Sequence, residues 1–177
     1  RMWAGTAAGL ALRAEGGYWL TYTTQTSPLI SDSITALAVD ASDRLWIGTP
    51  AGLQSYSLVS QGGGWSTYST TNGLPSNRIN ALAVQPSGGL WVGGNGGLSY
   101  RDPVSLTWTT YTSATGALPG ITVTHVSIDP QGRVWAATTK GIALRQGSSW
   151  QHFFPPGTMV ESNRITGLAA DNARTWV

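Results

Sequence analysis

Short runs of apolar residues, each bounded by turn-forming residues, recur along the whole chain. The clearest block begins at Ile34 and ends at Leu53, with the sequence ITALAVDASDRLWIGTPAGL. Similar blocks occupy residues 79–98 and 123–142, and a shortened block occupies residues 165–177. The first ten residues resemble the second half of the block. Repetition of one unit at a nearly fixed period predicts a repeat architecture before any single residue is considered.

Tryptophan residues give the period of the repeat, which is 41 to 46 residues. One series consists of Trp3, Trp46, Trp91, Trp135 and Trp176, and a second series consists of Trp19, Trp65, Trp108 and Trp150. This period, with four short strand-like runs in each unit, is typical of a β-propeller. We therefore predict an all-β propeller of about four blades, each with four antiparallel strands, as a fragment or half of a larger propeller.

Each complete unit divides into strands that we name A, B, C and D. In the clearest copy, they are expected at residues 34–40, 44–49, 53–58 and 65–68. The predicted blades are residues 1–33, 34–78, 79–121 and 122–164. The first of them has strands B, C and D only. Residues 165–177 supply strand A and the start of strand B of the next or closing blade. Because the chain begins at Arg1 and ends inside a repeat, we expect it to be a piece of a longer protein.

Residues that recur in every block are interpreted as structural. Asp40, Asp129 and Asp171 follow strand A, where a carboxylate accepts hydrogen bonds from turn amides. Gln85 replaces this aspartate in one copy, which argues against a catalytic role for this position. The tryptophan of strand B is expected to pack between blades. Glycine precedes each strand C, where the turn is expected to need a positive φ.

Composition and charge exclude several classes of function. Only 10% of the residues are charged, the net charge is +2, and the ten basic residues are spread along the chain. A nucleic-acid interface needs basic residues clustered in one stripe, so we expect no nucleic-acid partner. The chain has no cysteine, and no apolar run approaches the ~20 residues that span a bilayer. We therefore expect no membrane insertion and no thiolate metal site.

Residues 74–98, with the sequence LPSNRINALAVQPSGGLWVGGNGGL, resemble the two-component regulator propeller repeat. Residues 162–165 repeat the Ser-Asn-Arg-Ile lead-in, and residues 45–49 give Leu-Trp-Ile-Gly-Thr. The resemblance implies a β-propeller, usually of seven blades. It also implies an extracytoplasmic sensor region, periplasmic or at the cell surface, of the kind attached to bacterial hybrid histidine kinases. The turn at residues 172–174 is one residue shorter than the family pattern.

Few residues suit catalysis. We expect no catalytic residue, no metal and no cofactor. The histidines are His125 and His152, and the glutamates are Glu15 and Glu161. His125 stands on an inner strand where the other copies have Ala36, Ala81 and Gly167. It either fills space or contacts a ligand or metal. A fragment of a streptogramin-lyase-like propeller enzyme is one alternative, and a structural spacer in a surface protein is another.

The expected function is ligand binding, sensing or interaction, without catalysis. The connections from strand D to A and from B to C emerge at one end of a propeller, which we name the D–A/B–C face. A glycan or peptide is the expected ligand because arginine binds carboxylates in a bidentate manner. The candidate residues are Asn77, Arg78, Asn95, His125, Lys140, Asn163 and Arg164. Arg78 and Arg164 also have an alternative role, which is to tie neighbouring blades together.

The ends of the chain raise the question of how the propeller closes. Strand A at residues 165–171 can pair with the N-terminal strand B, which gives four blades from one chain. However, residues 174–177 and residues 1–4 are the same part of strand B, so one copy is surplus in such a ring. The duplication favours an open arc or one half of an eight-bladed homodimer.

Overall fold

The structure is a computed structural model that describes residues 2–57, 64–154, 165, 167–170 and 175–176. Blade 1 consists of β1 (Met2–Thr6), β2 (Gly9–Arg13) and β3 (Trp19–Tyr22). Blade 2 consists of β4 (Ala36–Val39), β5 (Arg44–Thr49), β6 (Gly52–Ser57) and β7 (Gly64–Tyr68). Blade 3 consists of β8 (Ile79–Val84), β9 (Leu90–Gly94), β10 (Gly97–Arg101) and β11 (Trp108–Tyr111). Blade 4 consists of β12 (Val123–Ile128), β13 (Val134–Thr138), β14 (Gly141–Gln146) and β15 (Ser149–Phe153). A final pair consists of β16 (Ala169–Ala170) and β17 (Thr175–Trp176).

Blades 2 to 4 are antiparallel meanders in which consecutive strands are neighbours, from A to D, and blade 1 has the same order for strands B to D. The all-β propeller predicted from the repeat is confirmed. Strand bounds in blade 2 differ from the predicted ones by no more than two residues at either end. Among the described residues of these blades, one further regular element is a 3₁₀ turn at Thr70–Asn72. Within the described residues, no helix has the length and apolar character needed to cross a bilayer.

The turns between strands form as the recurring residues predicted. Asp40 and Asp129 each accept two backbone amides through Oδ1, at distances of 2.9 to 3.1 Å. The glycines before strand C have φ between 129° and 150°. At Gly97, a side chain would also place its Cβ 2.5 Å from the carbonyl oxygen of Tyr111. Both effects require glycine there, so these positions serve the backbone.

The hydrophobic core lies between blades. One cluster joins Leu10 of blade 1 to Leu45 and Ile47 of blade 2. The next cluster joins blades 2 and 3, and a third joins blades 3 and 4. Trp46 and Trp91 are 2% and 0% exposed, which confirms that the tryptophan of strand B packs between blades. Each blade therefore buries its apolar faces against its neighbours, as expected when one repeat cannot form a core alone.

The same aromatic contact recurs at each interface between two blades. The strand D tyrosine of one blade packs against the strand D tryptophan of the next, at ring distances of 5.2 to 6.2 Å. The pairs are Tyr22–Trp65, Tyr68–Trp108 and Tyr111–Trp150. A strand C residue of the next blade also covers the strand B tryptophan. The three contacts of this kind are Tyr56 over Trp3, Arg101 over Trp46 and Arg145 over Trp91.

The two ends of the array are incomplete blades. In blade 1, β1 is an edge strand because, among the described strands, it pairs with β2 alone. At the other end, β16 pairs with β17 rather than with β1. Ile165, which precedes β16, packs against Ala137 and Ile142 of blade 4. The C-terminal strands therefore begin a further blade, and in this structure they do not complete blade 1.

Candidate functional site

The meander places the D–A and B–C connections at the same end of every blade. The predicted binding residues of blade 3 lie close together on this D–A/B–C face. The amide of Asn95 donates to the carbonyl oxygen of Arg78 at 3.3 Å. Asn77, Arg78 and Asn95 are all exposed. The B–C turn of blade 3 thus lies directly against the end of its D–A connection.

The side chain of Asn77 helps to shape its own loop. Its Oδ1 accepts a hydrogen bond of 2.9 Å from the amide of Thr70, at the start of the 3₁₀ turn. Ser69 caps this turn and accepts from the amide of Thr71 at 3.3 Å. Asn77 therefore orders the D–A connection that carries Arg78.

Asn80 was not among the predicted residues, yet it connects two blades. Its Nδ2 donates both to Oδ1 of Asn95, at 3.0 Å, and to the carbonyl oxygen of Val123 in the next blade, at 2.9 Å. Thr35 and Thr124 occupy the same position in their blades. Thr35 donates to the carbonyl of Ile79 at 2.6 Å, and Thr124 donates to that of Ile165 at 3.1 Å.

These hydrogen bonds are the polar ties between strand A of one blade and strand A of the next. The arginine of the Ser-Asn-Arg lead-in was the predicted candidate for this role. Arg78 is exposed, and its guanidinium forms no ion pair with the described residues. The signal in the sequence was present but weak: a short polar side chain follows the first apolar residue of strand A at Thr35, Asn80 and Thr124.

Lys140 lies in the B–C turn of blade 4, on the same face as Arg78. It is exposed, and within the described part of the chain its ammonium forms no ion pair. Its amide donates to Thr138 Oγ1 at 3.1 Å, and Thr138 also bonds the carbonyl of Gly141. Thr139 donates to the carbonyl of Thr122 at 3.1 Å, which fixes the turn against the D–A connection. The backbone beneath both cations is therefore held by hydrogen bonds.

His125 is half-buried on the inner strand β12, immediately after a bulge that follows Val123. Its cross-strand partner is Ala137, so both side chains lie on the same face of blade 4. Ala137 belongs to the cluster with Ile165, so this face turns toward the blade that β16 begins. No group of three potential metal ligands occurs among the described residues.

Asn163 and Arg164 lie outside the described residues, and so does Asp171. His152, on β15, is half-buried, and its Nε2 lies 3.0 Å from the carbonyl oxygen of Ala117. Its ring also meets that of Phe154 edge to face. The contact with Ala117 holds the outer strand against the D–A connection that precedes blade 4.

The opposite end of the propeller, the A–B/C–D face, carries a recurring carboxylate–indole pair. Oδ2 of Asp40 accepts from Trp46 Nε1, and Oδ2 of Asp129 accepts from Trp135 Nε1, each at 3.0 Å. Burial raises the pKa of Asp129, but hydrogen bonds from Trp135 and Arg133, together with the Arg133 charge, outweigh it and lower that pKa below 3.8. The aspartates thus support the turn and the tryptophan.

Blade 3 lacks this pair because Gln85 replaces the aspartate. Gln85 directs its Nε2 toward the carbonyl oxygen of Gly132, at 3.4 Å, instead of accepting from the tryptophan. The indole Nε1 of Trp91 is consequently buried without a hydrogen-bond partner. An unsatisfied buried donor costs about 1–3 kcal/mol. Blade 3 therefore lacks a hydrogen bond that blades 2 and 4 both have.

Comparisons with known proteins support the repeat and the fold. The sequence profile of the two-component regulator propeller matches residues 28–51 and 73–96. No curated protein sequence matches the chain. The extracellular domain of a protein described as a hybrid two-component system from B. thetaiotaomicron superposes with a TM-score of 0.78 at 22% identity. The match covers 96% of this chain and 24% of that one.

Two further solved structures are similar. A second extracellular domain of the same description, also from B. thetaiotaomicron, has a TM-score of 0.78 at 17% identity, over 96% of this chain and 23% of that one. Virginiamycin B lyase from Staphylococcus aureus has a TM-score of 0.64 at 13% identity, over 88% of this chain and 52% of that one. At these identities the likeness shows the fold alone.

The chain spans about a quarter of the length of the two extracellular domains that it matches. Residues 28–51 and 73–96 cover the lead-in, strand A, the A–B turn and strand B of blades 2 and 3. The chain is a propeller domain similar in fold to the extracellular domains of two-component systems, and these two segments match the two-component regulator propeller repeat.

Proposed function

We propose that the chain is a non-catalytic binding module of a sensor, located outside the cytoplasm. It binds an acidic glycan or peptide on the D–A/B–C face. The extracellular description of two similar propeller domains supports the location. The observation that carries the ligand proposal is the pair of exposed cations, Arg78 and Lys140, on one face of adjacent blades.

The physical argument concerns charge and preorganisation. Neither cation forms an ion pair with the described residues, so both remain available for an anionic ligand. Asn77 Oδ1 and Thr138 Oγ1 accept backbone amides, and the backbone amide of Asn95 donates to the Arg78 carbonyl, which together hold the loops beneath the two cations. A preorganised loop loses less conformational entropy when a ligand binds. Arg164 and Asn163 are proposed to continue this set in the next connection, and His125 is proposed as a contact nearer the axis.

An array of acidic and neutral glycans and peptides tests the proposal. The chain is expected to bind acidic probes, and the Arg78→Ala/Lys140→Ala double variant is expected to lose about tenfold or more in affinity. Arg13→Ala is the matched control because Arg13 is also exposed but lies at the end of strand C, away from this face. Failure of every probe to bind would support a spacer instead. Equal loss in the control would refute the site.

We also propose that blade 1 pairs with a second copy of the chain. Arg13 and Trp19 of blade 1 occupy the positions that Arg101 and Trp108 have in blade 3. Blade 2 covers Arg101 and Trp108, whereas no described blade covers Arg13 and Trp19 in this way. Trp19 is 51% exposed, whereas Trp65, Trp108 and Trp150 are half-buried at interfaces. In this dimer, β1 of one copy replaces β17 beside β16 of the other. Trp19 then packs on the ring pair Trp135–Phe153, as Trp108 packs beside Trp46 and Tyr68.

Light scattering after size-exclusion chromatography tests the dimer. The mass is expected to approach twice that of the chain as concentration rises, and Trp19→Asp is expected to abolish the increase. Val104→Asp is the control because Val104 is 89% exposed in a C–D loop and belongs to no blade interface. A monomer mass at every concentration would contradict the dimer.

A further inference from the structure

A cleft of about 180 Å³ opens between blades 2 and 3 at the A–B/C–D face, opposite the binding face proposed above. Blade 2 contributes its A–B turn, including Asp40 and Arg44. Blade 3 contributes Arg101 and the start of its C–D loop, with Pro103 and Leu106. Leu106 is 54% exposed, so the mouth of the cleft has an apolar wall.

Arg101 brings a charge into the interior beside this cleft. It is only 9% exposed, and its Nε has no hydrogen-bond partner. Its guanidinium carbon lies 5.4 Å from the ring of Trp46 and 5.7 Å from that of Tyr68. The aromatic faces compensate part of the burial cost. A buried charge is nevertheless usually paired with an opposite charge, and no described carboxylate pairs with Arg101.

Arg44 approaches the ring of Trp46 as well, with its guanidinium carbon at 5.6 Å. Its counterpart in blade 4, Arg133, pairs with Asp129 at 2.6 Å. Arg44 forms no such pair, although Asp40 is its equivalent partner. Like Asp129, the Asp40 carboxylate accepts two turn amides and an indole, which here is that of Trp46. Two guanidinium groups therefore flank one tryptophan without an ion pair among the described residues.

This arrangement belongs to one interface and is not part of the repeat. Between blades 3 and 4, Arg145 covers Trp91 in the same way as Arg101 covers Trp46. The position of Arg44 is Gly89 in blade 3, so the second guanidinium is absent there. A residue that recurs at every interface serves the architecture, whereas the pair of Arg44 and Arg101 occurs at only one of the described interfaces.

We propose that the cleft binds the carboxylate of a small acidic ligand between Arg44 and Arg101. The planar guanidinium offers donors in a fork that matches a carboxylate. Pro103 and Leu106 contact the carbon atoms of the ligand. Uronic acids and acidic amino acids both present this chemistry. The site is separate from the D–A/B–C face, so each can fail in an experiment without the other.

Nuclear magnetic resonance of the indole N–H signals gives a direct test on the whole chain. Galacturonate and N-acetylglutamate are titrated separately, with galactose as the neutral control, and the Trp46 signal is assigned by Trp46→Phe. We expect a saturable shift of the Trp46 signal with at least one acid and none with galactose. The acid that binds identifies the ligand as a sugar or an amino acid.

Substitutions then locate the binding. Arg44→Gln is expected to weaken binding about tenfold or more, as loss of a charge-assisted contact predicts. Its matched control is Arg133→Gln, which removes the equivalent arginine of blade 4 and is expected to change the affinity less than twofold. Arg101→Gln, with Arg145→Gln as its control, gives a second pair. Absence of a shift with both acids, or equal effects of Arg44→Gln and Arg133→Gln, would overturn the proposal.

Discussion

The missing hydrogen bond of Trp91 predicts that Gln85→Asp stabilises the protein. The turn after strand A has the same backbone geometry in all three complete blades. The backbone amide of the first turn residue donates to the carbonyl oxygen of the fifth at 2.7 to 3.0 Å. The backbone amide of the fourth donates to the carbonyl oxygen of the first at 2.8 to 3.1 Å. An aspartate at position 85 therefore has the same backbone around it as Asp40 and Asp129.

The magnitude follows from the bonds gained and lost. The new carboxylate accepts from Trp91 Nε1, which is buried and unpartnered, and from two turn amides. Satisfying a buried donor with a charged acceptor contributes about 1.5–3 kcal/mol, and desolvation of the carboxylate offsets part of it. The bond from Gln85 to Gly132 is 3.4 Å long and exposed, so its loss costs little. We expect a net gain of about 1–2 kcal/mol.

Thermal and urea unfolding measure this gain. For a chain of this size, about 1–2 kcal/mol raises Tm by about 2–8 °C. Gln85→Asn is the matched control because it keeps the shape of aspartate without the charge, and a smaller gain is expected. The pairing itself is tested in the Trp91→Phe background, where Gln85→Asp should lose the part of its effect that depends on the indole. An equal gain with Phe at position 91, or no gain in the natural background, would refute the reasoning.

Three further predictions concern stability, measured by urea unfolding. Asp129→Asn is expected to cost about 1–3 kcal/mol near neutral pH. Because the folded-state pKa of Asp129 is lowered, its contribution to the free energy of unfolding is present above pH 3.8 and is lost as pH falls through the folded pKa. The stability of the Asn variant should therefore fall less than that of the natural chain as the solution is made acidic. An equal fall in both proteins contradicts this. Asn80→Leu is expected to cost about 1–2 kcal/mol by removing the tie to Val123, and an effect below about 0.3 kcal/mol argues against it. Gly97→Ala is expected to cost well over 1 kcal/mol because φ is 136° and the Tyr111 carbonyl obstructs a Cβ, whereas Gly116→Ala, with φ of 74° and open space, is expected to cost about 1 kcal/mol or less.

Local features of the fold could be predicted from the sequence because they depend on neighbouring residues. Alternating apolar runs and turn residues predict the strands of blade 2 within two residues of their observed ends. The amide contacts of Asp40 and the positive φ of Gly97 also follow from residues within one turn. On the candidate site, the sequence placed Arg78 and Lys140 in D–A and B–C connections, which the strand order brings to one face.

The partners that meet between two blades could not be predicted, because they lie about one repeat or more apart in the sequence. The bond from Thr35 to Ile79 and the stacking of Arg101 on Trp46 are of this kind. The sequence also marks Gln85 as a departure from the repeat. Only the tertiary structure shows that the departure leaves the Trp91 indole buried without a partner.

The sequence by itself determined the repeat, because period and turn chemistry are properties of a short stretch of chain. The tertiary structure decided what each copy faces, because burial depends on the neighbouring blade. Trp65 and Trp19 occupy equivalent positions in strand D. Trp65 packs against Tyr22 of the preceding blade, whereas Trp19 is 51% exposed because no described blade precedes it.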